Sequence, residues 1–317
     1  MTSDANARLG FVGLGAMGAP MVGIMGKSDL VPTLFDIDAA LAKDVAARNG
    51  ASSVPTLAAL GAACDVVILM LPNSAIVRQV VLGSDSQGSD GLAASMAKGG
   101  LIIDMSSSDP VETRRLGAEI AQSGITLMDA PVSGGVRKAA NGTLAIMLGT
   151  DDDAAAARAT PVLESMGTVF RTGGLGSGHA TKALNNYVSA AGLSAACEAV
   201  LIGKEFGLDP DRLVEVINAS TGRNNATENK LRQFVLNDEF RKAGFSLALM
   251  AKDLGLAASL AEATRPDLPG PSATRDLWAA ARDRLEDGAD HTEIYRYLDS
   301  MADPGEAGDG KTDDRDG

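Results

Sequence analysis

GGLGSGHATKALNNYVSAAGLSAACEAVLIGKEFG, residues 173–207, is the stretch that divides the chain. Gly173, Gly174, Gly176 and Gly178 break whatever precedes them, and no proline follows before Gly207. A long helix is expected from there, with Ser177 capping its first turn by accepting a backbone N–H. Its apolar and small positions, among them Ala183, Leu184, Tyr187, Ala190, Ser194, Ala195, Ala199 and Ile202, recur at spacings of three and four. This predicts a buried, central helix that neighbours approach closely on more than one side. Lys182 and Asn186 lie four residues apart on its early turns, so they share a face with Cβ atoms about 6 Å apart. They are either a surface lysine beside a capping asparagine or a cation and an amide aimed at one point. The glycine-rich entry favours the second alternative, because it admits a ligand to the backbone. The helix N-terminus favours a bound carboxylate and disfavours a protonated lysine, which suits a general acid.

Before this helix the chain alternates between strands and helices. RLGFVGL (8–14) is a strand signal that runs directly into GLGAMGAPMVGIMG, where Gly13, Gly15 and Gly18 fit G-x-G-x-x-G at a strand-to-helix turn. The first glycine permits the turn, the second lets a pyrophosphate approach the backbone, and the third lets the helix pack on the strand. A second strand, VPTLFD, ends in Asp36, near the usual spacing for the acid that accepts from the ribose 2′-OH. That carboxylate would repel the extra phosphate of NADP, and Ile37 stands where an arginine would help NADP, so NAD is the expected cofactor. Asp36 as an N-cap of the next helix is the alternative. DVVILML (65–71), LIIDM (101–105), ITLMD (125–129), TLAIMLG (143–149) and GTVFRT (167–172) continue as strands of a parallel sheet buried on both faces. Helices are expected over 38–49, 56–63 and 151–166. Loops after such strands bind ligands, which singles out Leu71, Pro72 and Asn73. Ser106, Ser107 and Ser108 either cap a helix or reach the nicotinamide ribose. Ser133, Gly134 and Gly135 form either a plain loop or a flexible turn whose N–H groups hold an anionic substrate group.

Beyond residue 172 the expectation is all-helical, over 178–206, 210–219, 225–236, 246–263, 272–286 and 292–300. The predicted organisation is therefore a Rossmann-type α/β domain over 1–172, an all-α domain over 173–300, and an acidic tail over 301–317 without apolar anchors, expected to be disordered. Lys252 either snorkels to solvent or faces a cleft, and Asn224 and Asn225 either line a pocket or cap a helix. The net charge of −13, with no run of Lys and Arg, argues against nucleic acid and anionic membranes as partners. Cys64 and Cys197 in apolar surroundings suggest a reduced compartment. MTSDANARLG lacks signal-peptide character and no apolar run is long enough to span a membrane, so a soluble cytoplasmic protein is expected. His179 and His291 belong to no metal-ligand spacing, and no metal is expected. His179 either lines a site or packs on a loop.

The motifs form an ordered set that resembles the 3-hydroxyisobutyrate dehydrogenase, or β-hydroxyacid dehydrogenase, family over roughly residues 8–300. FVGLGAMGAPM (11–21), MLP (70–72), DAPVSGG (129–135), GLGSGHATKALNN (174–186) and GFSLALMAKDLGLA (244–257) carry the resemblance. It implies a Rossmann-type domain and a helical domain joined by the long helix, with the active site in the cleft between them. Lys182 then looks like the catalytic lysine, and Ser133, Gly134, Gly135 and Asn186 look like substrate binders. Gly13, Leu14, Gly15, Ala16, Met17, Gly18, Asp36, Leu71, Pro72, Ser107 and Lys252 look like cofactor contacts. Ser107 replaces a threonine common at its position but keeps the hydroxyl. TGRNNAT (221–227) carries asparagines where several relatives are bulky, so Asn225 is a candidate substrate contact and a more polar substrate than 3-hydroxyisobutyrate is expected. The implied activity is NAD-dependent hydride transfer with a small β-hydroxy acid or its aldehyde. The rivals are an imine or short-aldehyde reductase, which the lysine disfavours, and a non-catalytic dinucleotide-binding interaction module. The small apolar positions of the long helix suggest a homodimer or homotetramer.

Overall fold

The computed structural model describes residues 7–84 and 89–301, and the chain divides into two compact units, the first ending at Leu184 and the second starting at Asn185. Of the tail expected to be disordered, residues 302–317 lie outside the described residues.

The first unit begins β1 (Leu9–Val12), α1 (Gly18–Gly26), β2 (Thr33–Phe35), α2 (Ala39–Asn49), β3 (Ser52–Ser53), α3 (Leu57–Ala63), β4 (Val66–Leu69) and α4 (Ser74–Leu82). A small hairpin of β5 (Gly83–Ser84) and β6 (Ser89–Asp90) leads into α5 (Leu92–Ser95), β7 (Leu101–Asp104), α6 (Pro110–Ala121) and β8 (Thr126–Asp129). Then come β9 (Val132–Ser133), α7 (Gly135–Asn141), β10 (Leu144–Gly149), α8 (Asp153–Glu164) and β11 (Gly167–Gly173). Among the described residues the main sheet runs in the order β11, β10, β8, β7, β4, β1, β2, β3, with β9 against β10.

From β3 to β8 the sheet is parallel. It departs from the parallel expectation at β10, which meets β8 and β9 antiparallel. The physical cause is the short return: α7 has seven residues and closes on Gly142 (φ 67°), so the chain turns back without a full crossover. Ser133–Gly135, expected as either a plain loop or a flexible turn, is accordingly the end of a paired strand followed by a helix start. Alternate strand residues enter two cores. Phe11, Ile68, Ile103, Met128 and Ile146 pack on one side of the sheet, and Val12, Val67, Leu69, Ile102 and Leu127 on the other. This is why those strands read as unbroken apolar runs.

The long helix α9 (Ser177–Glu205) starts in the first unit and continues into the second. There follow α10 (Pro210–Asn218), α11 (Asn225–Asn229), a π-helical turn over Leu231–Val235, α12 (Leu247–Thr264), α13 (Pro269–Arg284) and α14 (Ile294–Ser300). The single helix expected over 225–236 is broken at Lys230 (φ −129°, ψ −48°), where α11 gives way to the π-helical turn. In this unit Trp278 is fully buried against the small side of α9, and its indole N–H donates to Ser194 Oγ at 2.9 Å. Ala190, Leu193, Cys197 and Val200 share that core with Leu231, Met250 and Leu254. Burial pushes the Cys197 thiol up to about 12. The helix departs from the buried helix that its small residues led one to expect: one face is open, with Val188 68% and Ile202 70% exposed.

Candidate active site

Strand register sets the site. Val12 aligns with Phe35 and Leu69, Leu69 with Asp104, and Asp104 with Asp129. The loops that start at Gly13, Asp36, Met70, Met105 and Ala130 therefore leave the sheet along one edge. β2 and β4 flank β1 on opposite sides, so the chain changes direction across the sheet there, the position at which open α/β sheets bind ligands.

At that point the glycines are sterically required. Gly13 has φ 93°, and a Cβ on it would collide with the Met70 carbonyl, while a Cβ on Gly18 would collide with the Gly13 carbonyl. Gly15 faces open space, with no atom within 4 Å of where a Cβ would stand. No side chain caps α1. An open glycine beside an uncapped helix start fits a dinucleotide pyrophosphate. Gly15 and Ala16 are exposed, Leu14 is buried in the core, and Met17 packs partly against it. Asp36 accepts from the Leu14 N–H at 2.7 Å and the Asp38 N–H at 2.9 Å, which locks the end of β2 to the glycine loop. The helix cap considered for Asp36 belongs to Asp38, which accepts from Ala40 and Leu41.

The next two loops are tied to each other. The Leu71 N–H donates to Ser106 Oγ at 2.9 Å, and Asp104, 1% exposed, accepts from the Ser106 N–H and the Ser108 hydroxyl. Two of the three serines are thereby spent internally. In these loops Ser107 is half-buried and Pro72 is exposed.

Asp129 ends β8 and does the capping that Ser177 was expected to do. Its two oxygens accept from the Gly176 and His179 N–H groups, each at 2.7 Å, while Ser177 Oγ pairs with Thr172 Oγ1 at 2.8 Å. A carboxylate satisfies two donors where one hydroxyl would satisfy one. Burial pushes the Asp129 carboxyl up, opposed by His179 and the two N–H bonds. His179, 1% exposed, packs its ring between Thr113, Ser106, Asp104 and Asp129. Three residues on, Lys182 is 9% exposed. Ser133 is half-buried, and Gly134 (φ 137°) and Gly135 (φ 66°) are exposed at the start of α7, which no side chain caps.

In the second unit Asn186 is 5% exposed, and its amide donates to Asp253 Oδ2 at 2.6 Å. Asp253 Oδ1 is buried with no hydrogen-bond partner; Lys252 Nζ stands 3.4 Å away as an ion pair without hydrogen-bond geometry. Asn224 is consumed by a capping box, accepting from the Ala226 and Thr227 N–H groups, whereas Asn225 is exposed on the first turn of α11. Of the sequence candidates, the structure thus brings Gly13, Gly15, Gly18, Asp36, Leu71, Pro72, Ser107 and the 133–135 turn to one sheet edge. Asp104, Asp129 and Thr113 were missed. The available signal was an acid closing each of two apolar strands, LIID and TLMD. Among the described residues no group of three or more His, Cys, Asp or Glu side chains is arranged to hold a metal ion, and no helix is long and apolar enough to cross a membrane.

The sequence model of the family described as "NAD binding domain of 6-phosphogluconate dehydrogenase" matches residues 8–174, and that described as "NAD-binding of NADP-dependent 3-hydroxyisobutyrate dehydrogenase" matches residues 176–298. The chain belongs to the 3-hydroxyisobutyrate dehydrogenase family. It is similar to 2-(hydroxymethyl)glutarate dehydrogenase of Eubacterium barkeri, 34% identical over 88% of this chain and 90% of that protein. It is also 36% identical to NAD-dependent L-serine dehydrogenase of Pseudomonas aeruginosa, over 86% of this chain and 91% of that protein. The solved structure of Mycobacterium tuberculosis 3-hydroxyisobutyrate dehydrogenase with L-serine superposes with a TM-score of 0.83 at 33% identity, covering 92% of this chain and 99% of that one. As a member of this family, the chain is an NAD(P)-dependent oxidoreductase of CH–OH groups.

Proposed function

We propose that this 3-hydroxyisobutyrate dehydrogenase family member is an NAD-preferring dehydrogenase or reductase of small β-hydroxy acids and the matching aldehydes, with Lys182 as general acid/base. The observation that carries the reading is a 9%-exposed lysine on the second turn of a helix whose start is fastened by Asp129 to the sheet edge that bears the glycine loop. The bound nicotinamide supplies or accepts the hydride. The chain's own residues do the rest: Lys182 takes the hydroxyl proton in oxidation and returns it in reduction, while Asn186 and the Ser133–Gly135 turn hold the substrate. Residues 1–172 serve as the dinucleotide-binding domain and 173–300 as the helical domain.

Several features support the cofactor preference and the substrate class. Asp36 stands at the ribose end with Ile37, 97% exposed, beside it, and neither side chain would neutralise a 2′-phosphate. Leu14, Met17, Leu71, Pro72, Ser107 and Lys252 complete the cofactor contacts, Leu14 through its backbone. The substrates named in the three relatives share a hydroxymethyl group on a carbon that bears a carboxylate, and they differ in the second substituent on that carbon. We assign that shared unit to this chain's substrate. Because Asn224 is spent as a cap, Asn225 alone remains to favour a polar substituent. The exposed face of α9 supports a homodimer or homotetramer.

The test is steady-state turnover of 2-substituted 3-hydroxypropanoates with NAD and NADP, for the wild type and Lys182→Ala. The variant should lose about 10²- to 10⁴-fold in kcat while keeping its NADH affinity. Unchanged turnover would remove Lys182 from the reaction, and equal kcat/KM with NADP would remove the NAD preference.

A further inference from the structure

The buried polar cluster under the start of α9 is larger than a helix cap requires, and His179 is at its centre. Its backbone N–H donates to Asp129 Oδ2 at 2.7 Å. Its Nε2 lies 3.1 Å from the Ser106 carbonyl oxygen, which can only accept, so that nitrogen carries a hydrogen. Its Nδ1 meets the Thr113 hydroxyl at 2.8 Å, and the same hydroxyl lies 2.9 Å from the Asp109 carbonyl. Asp104 and Asp129 each stand 3.7 Å from the ring. One side chain therefore joins the ends of β7 and β8, the first turn of α6 and the first turn of α9. Ser106 extends the connection: its hydroxyl accepts from Leu71, and the next residue is Ser107.

We propose that His179 is a positioning residue for the reaction, fixing the turn of α9 that carries Lys182 to the loops that carry Leu71 and Ser107. The inference rests on the reading of Lys182 as the acid/base group and of those loops as cofactor contacts. Backbone capping by Asp129 fixes where the helix begins but leaves its tilt and rotation to the side chains packed below. The imidazole meets the Ser106 carbonyl in the loop after β7 and the Thr113 hydroxyl on the first turn of α6, and it reaches the Leu71 loop through Ser106, so it sets where the lysine amine stands relative to the nicotinamide. Misplacement of a reacting group by about 1 Å costs on the order of a hundredfold in rate.

The experiment compares full-length His179→Leu, His179→Gln and Thr113→Val with wild type and Lys182→Ala. It records kcat, KM, NADH affinity by fluorescence and melting temperature. His179→Leu keeps the bulk and removes the polar contacts, and its kcat should fall roughly ten- to a hundredfold with KM and NADH affinity within about threefold. Glutamine can give an N–H to the Ser106 carbonyl and take the Thr113 hydroxyl, so His179→Gln should recover most of the loss. Thr113→Val should lose severalfold in kcat, and it carries the test with His179→Gln if the leucine variant does not fold. Wild-type kcat in His179→Leu, or in Thr113→Val where that variant carries the test, would overturn the proposal. So would glutamine and leucine variants that fall alike, or losses that follow melting temperature alone. If Lys182→Ala is inactive while His179→Leu is normal, only this inference fails; if Lys182→Ala turns over normally, the reading beneath it fails.

Discussion

Asp253 shows how much a single buried carboxylate can decide. One of its oxygens holds the Asn186 amide at 2.6 Å and the other is buried without a hydrogen-bond partner, although it sits in an apolar helix where a charge is costly. Such a group persists where it orients another. The bond to Asn186 is charge-assisted, a class worth about 1.5–3 kcal/mol. With Asn186 as a substrate binder, Asp253→Ala should raise KM roughly ten- to a hundredfold and lower kcat less. Michaelis kinetics on the preferred hydroxy acid check this, and unchanged KM would separate Asn186 from substrate. Lys182, Asn186 and Lys252 stand out as candidates in the sequence because their signals are short-range patterns on one helix each, whereas the Asn186–Asp253 bond spans 67 residues and leaves no such signal. Asp129 and Thr113 do not stand out, since their partner His179 lies 50 and 66 residues away along the chain. No local pattern announces such a bond.

Among the elements, the start of α9 is where local and long-range rules meet. The glycines end β11 and open the helix, which sequence makes plain, but the cap arrives from β8. Asp129→Ala would leave the Gly176 and His179 N–H groups buried and unpaired, at about 1–3 kcal/mol each. A melting point lower by roughly 4–24 °C follows from about 2–4 °C per kcal/mol in larger domains. Asp129→Asn, with one oxygen left, should fall between that variant and wild type. Thermal denaturation followed by circular dichroism checks the order, and a wild-type melting point in Asp129→Ala would assign the cap elsewhere. The parallel strands were legible because their apolar runs are long and buried on both faces. The antiparallel return through β9 and α7 was not, because a two-residue strand leaves no periodicity. Nor was the π-helical turn after Lys230, whose residues carry an ordinary helical pattern.

At the scale of the molecule, the change in pattern near residue 172 divides three cores into two kinds. Two are built by alternation on the two sides of a sheet, and the third by small residues around Trp278. No core uses the outward stripe of α9, where Val188, Ala195 and Ile202 recur at seven residues, with Phe206 just past the helix end four residues on, and all four are exposed. An apolar stripe on a helix face in a chain of net charge −13 argues for cover by another protein surface, and a second copy supplies the same stripe by symmetry. Wild-type protein at micromolar concentration should therefore sediment at a multiple of the 32.4 kDa chain mass. Val188→Asp with Ile202→Asp places two carboxylates on that face without entering any core, so the variant should keep its fold and sediment at the mass of one chain. A monomeric wild type would remove the stripe from consideration as an interface, and a variant of unchanged mass would move the interface to another face.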